Sequence, residues 1–379
     1  MKTRGFTLIE LLAVIVVLAI IALIATPIVM NVIKDAKEES NKRSVEMYAK
    51  ALELSIAQFR LENSNMPIGK YTTTDGRNLI KEGETEPSLI VDYNGDIVFE
   101  TIHIFDGNEY YLLDCKVNNV EYDYKYGTLT KPVSFEQDSW DIIAKNVRVG
   151  NVEVYKQNLE EKVHNTKEIE MDIDKNGIME SYTVRIANTS IPEECNSVGF
   201  SETACGFVIE FEDLITSHSM NSTGTNAQGW PASGMREYIG GYVDEKGNFV
   251  EGTIYKLLPE DLKKVLIDTY VVSGYGSDDS ANFESIDKLF LLSVKEVINS
   301  TSSDTSASQT RQLDYYSVNN ITNFHQATKY FINGSYTYWW LRSAIEGYNN
   351  YFWYVANGGG MSEHIASASR GVSPAFRIG

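Results

Sequence analysis

The chain has 379 residues, of which 43% are hydrophobic and 22% charged, with a formal net charge of −19 at pH 7. That length allows two or three domains, and the composition is that of globular protein rather than of a disordered chain. So acidic a balance argues against binding nucleic acid by direct charge attraction, and three cysteines are too few for a disulfide scaffold.

Met1 to Gly5 form a short leader with two cations, Lys2 and Arg4. Phe6 to Ile33 are almost wholly apolar and carry one charge, Glu10. The run is long enough for a membrane-spanning helix, which needs about 20 apolar residues. An ordinary secretory signal places its small-residue cleavage site after the apolar region. Here Gly5 precedes it, so a cut after Gly5 would remove the basic leader and keep the helix. Lys2 and Arg4 predict a cytoplasmic N-terminus, with the chain after Ile33 outside and membrane lipid around the helix.

These residues resemble the class III signal of type IV prepilins and of the related pseudopilins of type II secretion. Gly5 stands before the cut, Phe6 becomes the new N-terminus, and Glu10 is the fifth mature residue. The resemblance implies cleavage between Gly5 and Phe6 by prepilin peptidase, methylation of the new amine, and other pilin subunits as partners. It also implies that Glu10 pairs with the Phe6 amine of a neighbouring subunit. A carboxylate in an apolar helix is costly in lipid and marks function, and a buried ion pair can set register. Pro27 falls where many of these proteins carry a helix-loosening proline. It reads equally as a tolerated kink and as a segment that melts on assembly.

From Lys34 to about Asn63 the helix is predicted to continue. Val45, Tyr48, Ala49, Leu52, Ile56 and Phe59 recur at spacings of three and four, making one apolar stripe. Asn63-Ser64-Asn65 before Pro67 is the predicted stop. Residues 68–132 read as β-rich. Asn94-Gly95 predicts a hairpin between 89–91 and 97–99, and Asp106-Gly107-Asn108 and Asn118-Asn119 predict two further turns. Such a meander would cover the stripe. Cys115 reads as a small buried residue.

A second unit is expected from Val133. Trp140 to Ala144 predict a helix, as do Gly234 to Ile239 and Pro259 to Asp268. Lys167 to Met171, Tyr182 to Ile186 and Gly206 to Phe211 predict strands. The Ser/Thr-rich tract Asn299 to Thr310 predicts an exposed loop. Asp172, Asp174, Asn176 and Gly177 open like a calcium loop. Its twelfth position is Thr183, so Glu180 would have to serve, and a plain hairpin is the leading reading. Cys195 and Cys205 are placed for a disulfide outside the cell, with two buried thiols as the alternative. In the aromatic cluster of 336–354, Trp339, Trp340, Tyr351 and Trp353 are core candidates and also candidates for a ligand surface. Arg342 and Arg377 read as hydrogen-bond hubs. No histidine spacing, nucleophile elbow or phosphate loop supports catalysis, and no cofactor is expected beyond the weak calcium candidate.

The segments Trp339-Trp340-Leu341-Arg342-Ser343-Ala344 and Gly371-Val372-Ser373-Pro374-Ala375-Phe376-Arg377-Ile378, with Gly229-Trp230-Pro231, resemble a domain family of Gram-positive surface proteins with no assigned function. More weakly, they are similar to C-type lectin-like and sulfatase-modifying-factor folds. The expected architecture is α+β. A leader (1–5), an assembly helix (6–33) and a pilin-like head (34–132) precede a mixed α/β display domain (133–379), which the weaker likeness makes C-type lectin-like. The expected function is a minor or tip subunit of a type IV pilus-like filament that displays a domain for an unidentified surface ligand. A pseudopilin of type II secretion or DNA uptake, and a monomeric anchored binding protein, are the alternatives.

Overall fold

Leu8–Glu62 form one continuous 55-residue helix, α1. The run holds no glycine and one proline, Pro27, so nothing but that ring interrupts the backbone ladder. At 1.5 Å per residue α1 is about 80 Å long. The computed structural model describes residues 8–63, 67–94, 99–106, 109–117, 120–122, 130–156, 166–300, 304–356 and 361–379. The chain separates into two units, Met1–Leu129 and Thr130–Gly379.

In the first unit α1 is followed by β1 (Gly69–Thr73), β2 (Asn78–Lys81), β3 (Pro87–Ile90), β4 (Phe99–Asp106), β5 (Glu109–Val117) and β6 (Val120–Tyr122). They make one antiparallel sheet in the order β3-β2-β1-β4-β5-β6. The predicted stripe is what this sheet covers. Val45, Tyr48, Ala49, Leu52 and Ile56 are buried against Tyr71, Leu79, Leu89, Phe105, Cys115 and Val117, with Phe59 at the margin. Two predicted hairpins form: Asp106 pairs with Glu109, and Val117 with Val120. The third does not. β3 pairs with β2 and β4 with β1, so the strands flanking Asn94-Gly95 are not partners; residues 95–98 lie outside those described. The competing turn is at Asp75-Gly76. There the Asp75 carboxylate accepts from the amides of Arg77 (2.8 Å) and Asn78 (2.9 Å), which folds β2 back on β1 and gives β3 its partner.

The second unit opens with α2 (Trp140–Arg148), N-capped by the Ser139 hydroxyl, and α3 (Glu153–Lys156). Then come β7 (Thr166–Met171), β8 (Glu180–Asn188), β9 (Val208–Phe211), β10 (Thr216–Ser219), α4 (Gly234–Ile239), β11 (Tyr242–Val243) and β12 (Phe249–Val250). α5 (Thr253–Leu257), α6 (Glu260–Lys263), β13 (Thr269–Ser273), β14 (Phe283–Asp287), β15 (Leu289–Phe290), α7 (Val294–Ile298) and α8 (Asp314–Val318) follow. The chain closes with β16 (Trp339–Ala344), β17 (Tyr351–Val355), β18 (Met361–Ile365), β19 (Ser369–Val372) and β20 (Ala375–Arg377). Three sheets result, ordered β15-β20-β9-β8-β7, β10-β19-β16-β17-β18 and β12-β11-β14-β13. One core joins them through Trp230, Trp339, Phe211, Phe376 and Leu292. The architecture is α+β: a long apolar helix followed by several mainly antiparallel sheets, with β16 and β19 paired in parallel.

The tract Asn299–Thr310 is not an exposed loop. Asp304, Ser306, Ala307 and Thr310 are buried, and residues 301–303 lie outside those described. Polarity misleads here because the hydroxyls serve buried charges. The Thr310 hydroxyl donates to Glu296 (2.8 Å), and Asp304 accepts from the Ser343 hydroxyl (2.7 Å).

Candidate functional site

The N-terminal half of α1 presents apolar side chains to its surroundings all round. Leu8, Ile15, Leu18, Ile21 and Met30 are each more than half exposed. That belt is far larger than the apolar patches of soluble monomers, and the helix is long and apolar enough to cross a membrane. Glu10 sits in its first turn, where the amide dipoles favour a carboxylate. Gly5 and Phe6 lie outside the described residues. Pro27 is inside the helix without ending it. The Thr26 hydroxyl donates to the Ala22 carbonyl (2.6 Å) just before that ring, a back-bond that bends helices.

The second unit's charged groups are mostly turned inward. Arg342 is wholly buried and donates twice to Glu296, at 2.6 Å each, and to the carbonyls of Leu291 (2.8 Å) and Val272 (3.1 Å). Glu296 also accepts from Thr203 and from the Ser293 amide in the α7 capping box. Burial alone would raise the Glu296 pKa, but Arg342 and these hydrogen bonds hold it below the usual carboxylate value. A second hub centres on Glu210, which accepts from Arg185 (2.8 Å), Tyr316 (2.8 Å) and Lys329 (2.6 Å). Burial pushes Lys329 down to about 8, with Glu210 opposing. Arg377 pairs with Glu202 at 2.7 Å. The charges of the first two hubs are paired with one another, as buried charges must be, whereas Nε of Arg377 is buried without a hydrogen-bond partner.

Cys195 and Cys205 are joined in a disulfide that closes a ten-residue separation. The loop between them supplies Glu202 to Arg377 and Thr203 to Arg342 and Glu296. The calcium candidate is a hairpin turn between β7 and β8. Asp172 accepts from the amides of Asn176 (3.0 Å) and Gly177 (2.9 Å), Asp174 accepts from Asn176, and Glu180 accepts from the Tyr182 hydroxyl. Among the described residues no group of three or more His, Cys, Asp or Glu could hold a metal ion.

The ligand-surface candidates need correction. Trp339, Trp340 and Trp353 are buried, and Tyr351 only partly exposed. β16 is covered on both faces along its whole length, and the indoles of Trp339 and Trp340 donate to the carbonyls of Ala327 and His218. The rings that do reach the surface are their neighbours, Tyr338 and Tyr354, 5.1 Å apart. Of the two readings the core one holds for the tryptophans, because both sheet faces are occupied there. Nearby is a cleft of about 780 Å³ lined by residues that include His218, Tyr238, Glu237, Glu251, Lys175 and Lys256. His218 and Tyr238 stack there at 4.0 Å. No motif in the sequence pointed to this cleft.

A prokaryotic N-terminal methylation motif matches residues 1–26. Together with the long exposed apolar helix, it defines a membrane-anchored, pilin- or pseudopilin-like protein that prepilin peptidase processes and that assembles with other pilin subunits. The chain is 31% identical over 114 residues to the type II secretion system core protein G of Escherichia coli (strain K12), a stretch covering 30% of this chain and 73% of that protein. It belongs to the family of that core protein. Residues 207–379 match a domain of unknown function, DUF6273, a match that names neither a ligand nor a lectin-like fold. No solved structure matches the chain.

Proposed function

We propose that the protein is a minor or tip subunit of a type IV pilus-like filament. It would be cut between Gly5 and Phe6, methylated on the Phe6 amine, and would display residues 133–379 at the cell surface as a binding domain without catalytic activity. The observation that carries the reading is the division of α1. Its first half is an exposed apolar belt with Glu10 as sole charge, and its second half is packed under a sheet. A helix of that kind suits a membrane before assembly and a bundle of like helices after it. A bulky second unit on every subunit would crowd a filament, which favours a minor or tip position. The likeness to a core protein of type II secretion favours a second reading, a pseudopilin in a short secretion filament. Loss of protein secretion on deletion, with surface filaments intact, would select it.

Intact mass and N-terminal sequencing of membrane-extracted protein test the processing step. The expected chain begins at N-methylated Phe6. A chain beginning at Met1, in a strain that has the peptidase, refutes the filament reading. Glu10→Ala is expected to leave processing intact and to move the protein from sheared filaments to the membrane pool. Normal incorporation of that variant would show that Glu10 has no role in assembly.

A further inference from the structure

One face of the sheet β10-β19-β16-β17-β18 carries a cation among rings. His218 on β10 lies directly opposite Arg370 on β19, and opposed residues share a face. The Arg370 guanidinium lies 5.4 Å from the Tyr338 ring and 5.7 Å from that of Tyr354. Tyr354 in turn meets His364 on β18 at 6.2 Å, and His218 stacks on Tyr238 at 4.0 Å. Tyr238, His218, Arg370, Tyr338, Tyr354 and His364 thus form one row running across the strands, all partly exposed. Strands lie about 4.8 Å apart, so a row across five of them spans roughly 19 Å. Trp340, wholly buried, stands opposite Tyr354 on the neighbouring strand and meets it edge-on at 6.2 Å.

Arg370 is paired with no carboxylate among the described residues. Its guanidinium donates to the neighbouring Ser369 carbonyl (2.9 Å), and its Nε, like Nδ1 of His364, is buried without a hydrogen-bond partner. This is unlike Arg185, Arg236, Arg311, Arg342 and Arg377, each of which meets a carboxylate. The chain has 52 acidic residues against 33 basic ones, so a guanidinium held among rings away from them is positioned for an anion from outside.

We propose that this row binds an acidic polysaccharide, a chain of pyranose rings bearing carboxylates. A planar guanidinium matches a carboxylate in two parallel hydrogen bonds. Tyr338 and Tyr354, both beyond it toward β18, offer flat faces to the C–H faces of neighbouring sugars. A row lying across the strands without a deep hole accepts flat rings in series, whereas a peptide would add along a strand edge or seat a side chain in a pocket. The cleft of about 780 Å³ lined by His218 and Tyr238 adjoins the row, and its wall carries both Lys175 and Lys256 and the carboxylates of Glu237 and Glu251, with Lys256 paired to Glu251 at 3.7 Å. The proposal deepens the display reading and rests on it, since the sheet must face outward to meet such a ligand.

The test is titration calorimetry on the full chain in detergent micelles, with oligogalacturonate, its methyl ester, neutral dextran and a poly-glutamate peptide as probes. Oligogalacturonate is expected to bind, and its ester and dextran at least about tenfold more weakly, as the loss of one charge-assisted pair requires. Arg370→Gln should weaken binding by a similar factor. Tyr354→Leu should weaken the acid and the ester alike. Near-UV circular dichroism and an intact Cys195–Cys205 bond show that the variants are folded. No binding of oligogalacturonate, binding unaffected by Arg370→Gln, or equal binding of poly-glutamate would overturn the proposal. Antibody access to residues 133–379 on whole cells tests the display reading separately. An accessible domain that fails to bind sinks the saccharide site alone, and a binding domain that is shielded on cells sinks display alone.

Discussion

Replacing Arg342 by methionine tests the account of the second unit most directly. The side chain is wholly buried, gives two 2.6 Å hydrogen bonds to Glu296, and also serves the carbonyls of Leu291 and Val272. Methionine fills much of the volume but leaves the Glu296 carboxylate buried without a cation. Breaking one side of such a pair costs about 3–5 kcal/mol. At about 2–4 °C per kcal/mol for a unit of this size, the melting temperature should fall by roughly 10 °C. All five tryptophans lie between residues 140 and 353, so tryptophan fluorescence during heating reports this unit alone. Adding Glu296→Gln to Arg342→Met should restore part of the loss. The glutamine oxygen can still accept from the Ser293 amide in the capping box, and no charge remains to be buried. The pH dependence follows with a definite sign. In the native chain Glu296 has a lowered pKa, so its contribution is present above the unfolded carboxylate value and is lost as pH falls below it. In Arg342→Met the lone carboxylate is penalised until it is protonated, so the gap between variant and native protein should narrow in acid. A melting temperature within about 2 °C of native for Arg342→Met, or strict additivity in the double variant, would refute the reasoning.

Two further tests address other parts of the chain. His103 in the first unit is wholly buried against the Tyr48 hydroxyl (3.0 Å), and burial pushes its pKa from 6.5 down to about 3. Above pH 6.5 it costs nothing; between there and about pH 3 only the unfolded chain takes the proton, so stability should fall by up to about 1.4 kcal/mol per pH unit. Hydrogen exchange of residues 45–59 reads this, and an identical acid slope in His103→Gln would contradict it. For the disulfide, closure of so short a loop predicts a loss of about 2–3 kcal/mol in Cys195→Ser/Cys205→Ser. The loop holds Glu202 and Thr203 against Arg377 and Arg342, so the tryptophan signal should report the loss. Reductant that opens the bond by thiol labelling yet leaves melting unchanged would count against it.

What the sequence determined by itself is local or periodic. The stripe Val45 to Phe59 was legible because a helix with one covered face repeats every three to four residues. The hairpins β4–β5 and β5–β6 and helix α4 were legible because turn chemistry and short range set them. Arg342 was legible as a hub from its place in the motif Trp339–Ala344. The N-terminal motif was legible because processing acts on a linear stretch. The tertiary structure alone decided matters of long range. It set β2 between β1 and β3, for which Asp75-Gly76 was the overlooked signal. It buried the hydroxyl-rich tract at Asp304–Thr310, since those groups answer Glu296 and Ser343 from distant segments. It also chose which aromatics reach solvent, sinking Trp339, Trp340 and Trp353 and leaving Tyr338 and Tyr354 on the face with Arg370. A strand covered on both sides loses its alternating pattern, so its outward residues are defined only by what packs against it.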